Sequence, residues 1–179
     1  MRNYDALVAV AADNHGVLRT KDATAAGVGS SILNRFLLDG RLERLAHGLY
    51  RVTALPEDRL TPYTEATMWA NGEGVISHAS ALEMQELCDI LPRRIHITVP
   101  QTYNPRRAGG DRYQIHRYTL PPGDLTHYEG VSVVTAYRAI RQALNDGEDP
   151  AQLRLAVRSA SRRGLLSRSE AARLWARLR

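Results

Sequence analysis

Three short helical segments followed by a basic hairpin, all within residues 1–52, restrict the fold more than anything else in the chain. Tyr4, Leu7, Val8 and Ala11 recur at helical spacing and Gly16 follows them, which predicts a first helix ending near Asn14. Val17 and Leu18 then form a brief extended piece. Thr20 is placed to cap a second helix that stops at Gly27, and Ser30 or Ser31 to cap a third. In the third helix Ile32, Leu33, Phe36 and Leu37 share one face, while Ser30, Ser31, Asn34 and Arg35 lie on the other side or at the N-terminal end. Asp39-Gly40 ends this helix. Arg41 to Leu45 and Leu49 to Val52 can then pair across Ala46-His47-Gly48 as a wing.

This order leaves the third helix free to enter a major groove. Ser30 and Ser31 can donate to phosphate oxygens together with the free N–H groups of the helix start, and Asn34 and Arg35 have the reach to read base edges. Arg41, Arg44, His47 and Arg51 put positive charge on or beside the wing, where they position a duplex rather than specify its sequence. Thr20 and Lys21, at the start of the second helix, complete the set of expected DNA contacts. The competing reading is that such modules also bind proteins and that arginines on a hairpin are simply solvated.

Composition narrows the partner class without deciding it. A formal charge of +5 and a pI near 9.7 favour polyanions, and nucleic acid leads that class. Hydrophobic residues at 44% and charged residues at 24% match ordinary globular usage, so the chain is expected to fold in water. Cys88 is the single cysteine, which excludes an internal disulfide and any zinc site built on paired thiolates. The apolar stretch from Leu7 to Ala12 is too short for a signal-peptide core, and no run reaches membrane-spanning length. A cytoplasmic location with no membrane partner is expected.

The stretch from Thr53 to Pro62 holds Pro56 and Pro62 among charges without apolar periodicity, and reads as a linker. The expected organisation is a winged helix-turn-helix over 1–53, a linker over 54–62, and a mixed α/β domain over 63–179 that ends in helices. As a fold class this is α/β in the α+β sense. Beyond the linker, helices are predicted from Thr64 to Asn71 and from Ala79 to Leu87, with a short strand at Val75 to Ser77 between them. Alternation predicts strands at Ile95 to Val99 and from Tyr113 to about Arg117, separated by an exposed loop rich in turn formers from Asn104 to Asp111. Val131 to Val134 supplies another strand, and Thr135 caps a helix running to Asp146-Gly147. Pro150 to Gly164 and a segment opened by the Ser167/Glu170 capping-box spacing give the last two helices.

That C-terminal segment forms a possible second basic face. Arg154, Arg158 and Arg162 are spaced four apart and line one side of a helix, with Arg163 next to them. Like charges so arranged repel by roughly 0.2–0.5 kcal/mol per pair, a cost that an anionic partner would relieve. A solvated face balanced by acids elsewhere is the equal alternative.

No catalytic residue, metal ligand or cofactor is predicted. His96 and His116 can share a sheet face, but two histidines without a spaced carboxylate or thiolate make a poor metal site. Ser77-His78 lacks the nucleophile elbow, and Gly27 with Gly29 gives no phosphate-binding fingerprint. A fused nuclease would need clustered carboxylates and a lysine, whereas the C-terminal region has no lysine and Asp89, Asp111 and Asp124 are dispersed. An enzyme is not expected.

The segments Gly16 to Ala23, Gly27-Val28 and Leu37 to Arg51 resemble the AbiEi-type antitoxins of type IV toxin-antitoxin systems. The likeness continues in Ile76-Ser77-His78-Ala79-Ser80-Ala81-Leu82, in Ile95 to Pro100, and in Val134 to Ile140. The resemblance implies a winged helix that represses its own operon at inverted repeats of double-stranded DNA, and a C-terminal domain that helps counter a nucleotidyltransferase-like toxin. The alternative is an interaction module that binds a toxin or another partner directly, with DNA contact secondary.

Overall fold

A computed structural model of the chain describes residues 2–104 and 109–179. Helices and strands are mixed, as the α+β class requires, and the chain divides into two compact units. The first holds residues 1–73 together with 105–110, and the second holds 74–104 with 111–179. Positions 105–108 of the expected loop at 104–111 lie outside the described residues. Among the described residues no helix is long and apolar enough to cross a membrane.

In the first unit the order is α1 (Arg2–Ala12), β1 (Val17–Arg19), α2 (Thr20–Ala25), α3 (Ser30–Leu38), β2 (Leu42–Ala46), β3 (Leu49–Val52) and α4 (Thr61–Trp69). Its three strands form an antiparallel sheet in the order β1-β3-β2. The apolar stripes seen in the sequence meet in one core of Leu7, Ala11, Leu18, Ala23, Val28, Leu33, Phe36, Leu42, Tyr50 and Val52. Burial of these side chains, at roughly 1.5–3 kcal/mol for each large one, is what holds such short helices.

Two expected caps are supplied differently. Thr20 is the first residue of α2 rather than its cap, because the Asp22 carboxylate reaches back to accept the Arg19 backbone N–H at 2.9 Å and also takes the Arg19 guanidinium. Burial opposes the Asp22 charge, but these bonds outweigh it and hold its carboxyl below the usual range. Gly29, not a serine, occupies the cap position of α3.

The segment expected as a linker is fastened to the first unit. Asp58 accepts the backbone N–H groups of Leu60 and Thr61, both at 2.8 Å, and pairs with His15 at 2.7 Å. Thr61 Oγ1 donates to the His15 carbonyl. The helix α4 consequently starts three residues before the predicted Thr64, and the division between the units falls at Glu73–Gly74.

The second unit is built on β4 (Val75–Ile76), β5 (Ile95–Val99), β6 (Tyr113–Arg117), β7 (Leu125–Tyr128) and β8 (Val131–Val134), in the spatial order β6-β5-β4-β8-β7. The β5–β6 and β4–β8 pairs are parallel and the other two antiparallel. Helix α5 (His78–Met84) packs with α6 (Ala136–Asn145), followed by α7 (Pro150–Arg162) and α8 (Arg168–Arg177). Thr135 caps α6, Asp149 caps α7, and Ser167 with Glu170 forms the capping box of α8.

Candidate nucleic-acid interface

The helix α3 is divided cleanly by its period. Leu33 and Phe36 are buried and Ile32 and Leu37 half-buried, while Ser30, Ser31, Asn34, Arg35 and Leu38 are exposed. Inward anchoring comes from the Phe36 ring, which meets Tyr4 edge to face at 5.3 Å, and from Arg41, whose guanidinium lies 5.1 Å from the Tyr4 ring centre. The glycine at the cap position has no side chain to satisfy the first-turn N–H groups, so donors and two serine hydroxyls converge at an end of the helix that favours anions.

The hairpin that follows begins at Leu42, turns at His47-Gly48, and carries a bulge between Arg44 and Ala46. Gly48 needs its positive φ of 68° for this turn, and its carbonyl accepts the Thr20 backbone N–H at 3.0 Å. Thr20 thereby ties α2 to the wing and is half-buried, whereas Lys21 beside it is exposed. Arg44 stands opposite Tyr50 with its guanidinium 5.8 Å from the ring centre.

Arg51 occupies a different situation from the other wing arginines. It faces Glu43 across the β2–β3 ladder, donates to that carboxylate at 2.6 and 3.0 Å, and pairs with Glu57 at 2.9 Å. The hydrogen bond to Glu43 is the main cause of the rise in its already high pKa. A guanidinium so engaged would have to leave two carboxylates to meet a phosphate. By contrast Lys21, Arg35, Arg41 and Arg44 make no ion pair among the described residues.

Placement of charge therefore matters more than its total. Residues 1–73 carry eight Lys and Arg against nine Asp and Glu, so the positive excess of the chain belongs entirely to the remainder. Within the first unit Asp22 and Glu43 are held by Arg19 and Arg51, and Asp58 by His15. Among the described residues Lys21 on α2, Arg35 on α3, and Arg41 and Arg44 at the wing make no ion pair, and neither does Arg2 on α1.

The expected second basic face is largely engaged within its own unit. Arg154 donates to the Leu178 carbonyl at 2.7 Å, Arg158 lies 5.9 Å from the Trp175 ring centre, and Arg163 donates to the Gln85 carbonyl. These contacts fix α8 and the end of α7, which relieves the repulsion by a different route from an external anion. Arg162 remains exposed.

Two features escaped the sequence reading. Leu38 is 89% exposed at the C-terminal end of the outward face of α3, and simple helical spacing from Ser31 and Asn34 would have found it. In the second unit His78 joins His96 and His116, a grouping that needed both the strand register and the position of α5.

The first unit thus contains a winged helix-turn-helix module: α1, α2 and α3 followed by a hairpin wing, with the polar side of α3 facing outward. Residues 5–53 match the model of the family described as transcriptional regulator, AbiEi antitoxin. No curated protein matches the chain. Among solved structures, the RV2827C protein from Mycobacterium tuberculosis is similar at 16% identity, over 96% of this chain and 79% of that one, with a TM-score of 0.48.

Proposed function

We propose that the chain is a DNA-binding antitoxin and autorepressor of a type IV toxin-antitoxin operon, acting without catalysis of its own. The observation that carries this reading is the outward face of α3, with Ser30, Ser31, Asn34 and Arg35 exposed beside an uncapped helix start. In this reading Asn34 and Arg35 contact base edges, and Ser30, Ser31, Lys21, Arg41, Arg44 and His47 contact the backbone. Thr20 and Arg51 hold the wing in place. An operator of inverted repeats would bring two copies related by a dyad. The second unit then counters a nucleotidyltransferase-like toxin.

Titration of the full chain with its own upstream DNA tests the proposal. Preference over a scrambled duplex of equal length is expected at moderate salt, and equal affinity for both would overturn the regulatory reading.

A direct interaction role is favoured by one observation, the exposed Leu38 on that same face, since apolar side chains anchor protein contacts. Loss of partner co-purification in Leu38→Lys with DNA affinity kept would support it.

A further inference from the structure

We propose that His78, His96 and His116 form a three-histidine site for a divalent transition ion of the zinc type, with a fourth position open to water. The site lies wholly within the second unit and is independent of the DNA-binding reading.

The sheet builds two thirds of it. On parallel neighbours β5 and β6, His96 stands opposite Gln114 and Thr98 opposite His116, so His96, Thr98 and His116 share one face. His116 Nε2 approaches His96 Nδ1 to 3.1 Å. Two nitrogens bound at about 2.05 Å in a tetrahedral set stand roughly 3.3 Å apart, so this pair is already at ligating separation.

The third imidazole comes from the first residue of α5. His78 is 8% exposed, and its ring stacks on His116 with centres 3.6 Å apart. One ligating nitrogen from each of the three residues lies within 4.8 Å of the others, a distance that side-chain rotation can close. Its backbone adopts φ 53°, a left-handed conformation that a non-glycine residue keeps only where the surroundings impose it. Those surroundings are specific. The His78 N–H donates to Gln142 Oε1 at 3.2 Å, and His78 Nδ1 meets Ser77 Oγ at 2.8 Å. Ser77 Oγ in turn accepts from Thr98 Oγ1 at 2.8 Å.

With Nδ1 engaged by Ser77, Nε2 is the atom left to bind an ion. Metal-ligating histidines are commonly oriented in this way, by a hydrogen bond to the other ring nitrogen. Neutral imidazole is the form that ligates. A cavity of about 470 Å³ bordered by Pro92, Arg94, Gln114 and Glu148 reaches one of the three, His96. Imidazole ligands select borderline ions such as zinc over magnesium and calcium, which prefer oxygen.

Full-length protein stripped with a chelator and titrated calorimetrically with zinc chloride tests the assignment. One ion per chain is expected, and magnesium chloride should give no heat. Cobalt chloride should give the visible absorption of a tetrahedral site. Zinc at a hundredfold excess over its Kd should raise Tm by about 5 to 10 °C. His116→Gln and His96→Ala, both at half-buried positions, should each lose at least about a hundredfold in affinity with the far-ultraviolet dichroism unchanged. His47→Ala and His127→Ala should bind as the parent does. Absence of stoichiometric zinc binding, or equal binding by parent and His116→Gln, would overturn the site.

Discussion

Arg44→Ala and Arg51→Ala remove the same charge from the same hairpin, yet they should act differently on DNA. Lys21, Arg41 and Arg44 are exposed and make no ion pair among the described residues, whereas Arg51 is held by Glu43 and Glu57. Three phosphate contacts per module give a slope of about −2.7 for log affinity against log salt, at about −0.9 per contact. Raising salt from about 50 to about 200 mM should then weaken the parent roughly 40-fold. Removing Arg44 brings the slope to about −1.8 and the same step to roughly 12-fold. Removing Arg51 should shift the slope by less than about 0.3, because no counterion is released by a guanidinium that stays on its carboxylates. Fluorescence anisotropy with a labelled duplex across a salt series measures both slopes. Equal flattening by the two variants would refute the division between free and engaged arginines.

Arg35→Ala should relax preference at a base pair by about 1 to 3 kcal/mol, seen with single-base-substituted duplexes, whereas uniform weakening would make Arg35 a phosphate contact. Phe36→Ala should cost about 3 to 5 kcal/mol of unfolding free energy in a denaturant titration, because the ring is buried against Tyr4 and the α1 face; a cost below about 1 kcal/mol would mean that α3 is not anchored by it. Burial opposes the Asp58 charge, but the His15 contact and the N–H groups of Leu60 and Thr61 outweigh it, so its folded pKa lies below the ordinary value of 3.8. Its stabilisation is therefore full above the unfolded pKa and is lost as pH falls through the lower folded one. Asp58→Asn should reduce the acid sensitivity of unfolding below about pH 4. An unchanged acid limb would contradict that account.

The three helices and the wing were legible because each rests on spacing within a few residues. Ile32, Leu33, Phe36 and Leu37 must share a face of any helix that contains them, and Ala46-His47-Gly48 is a turn wherever flanking strands pair. Capping was misread where an alternative donor–acceptor arrangement competes locally: Asp22 reaches the Arg19 N–H before Thr20 can serve as a cap. Strand β7 was missed because Leu125, Thr126 and His127 are all exposed, so no alternation marks it and only pairing with β8 defines it. The segment 54–62 looked like a linker because its fastening depends on His15, more than forty residues earlier. The three histidines were hidden for a related reason. Parallel pairing of β5 with β6 and the left-handed start of α5 bring together positions that no local pattern connects.

The uneven distribution of charge has a practical consequence for handling the molecule. A fragment limited to residues 1–73 would sit close to its isoelectric point at neutral pH. Copies of it would lack the mutual repulsion that keeps small proteins dispersed, and concentrated samples would tend to associate. The arginine-rich remainder supplies that repulsion, so it also serves as a solubilising companion to the smaller, nearly neutral module.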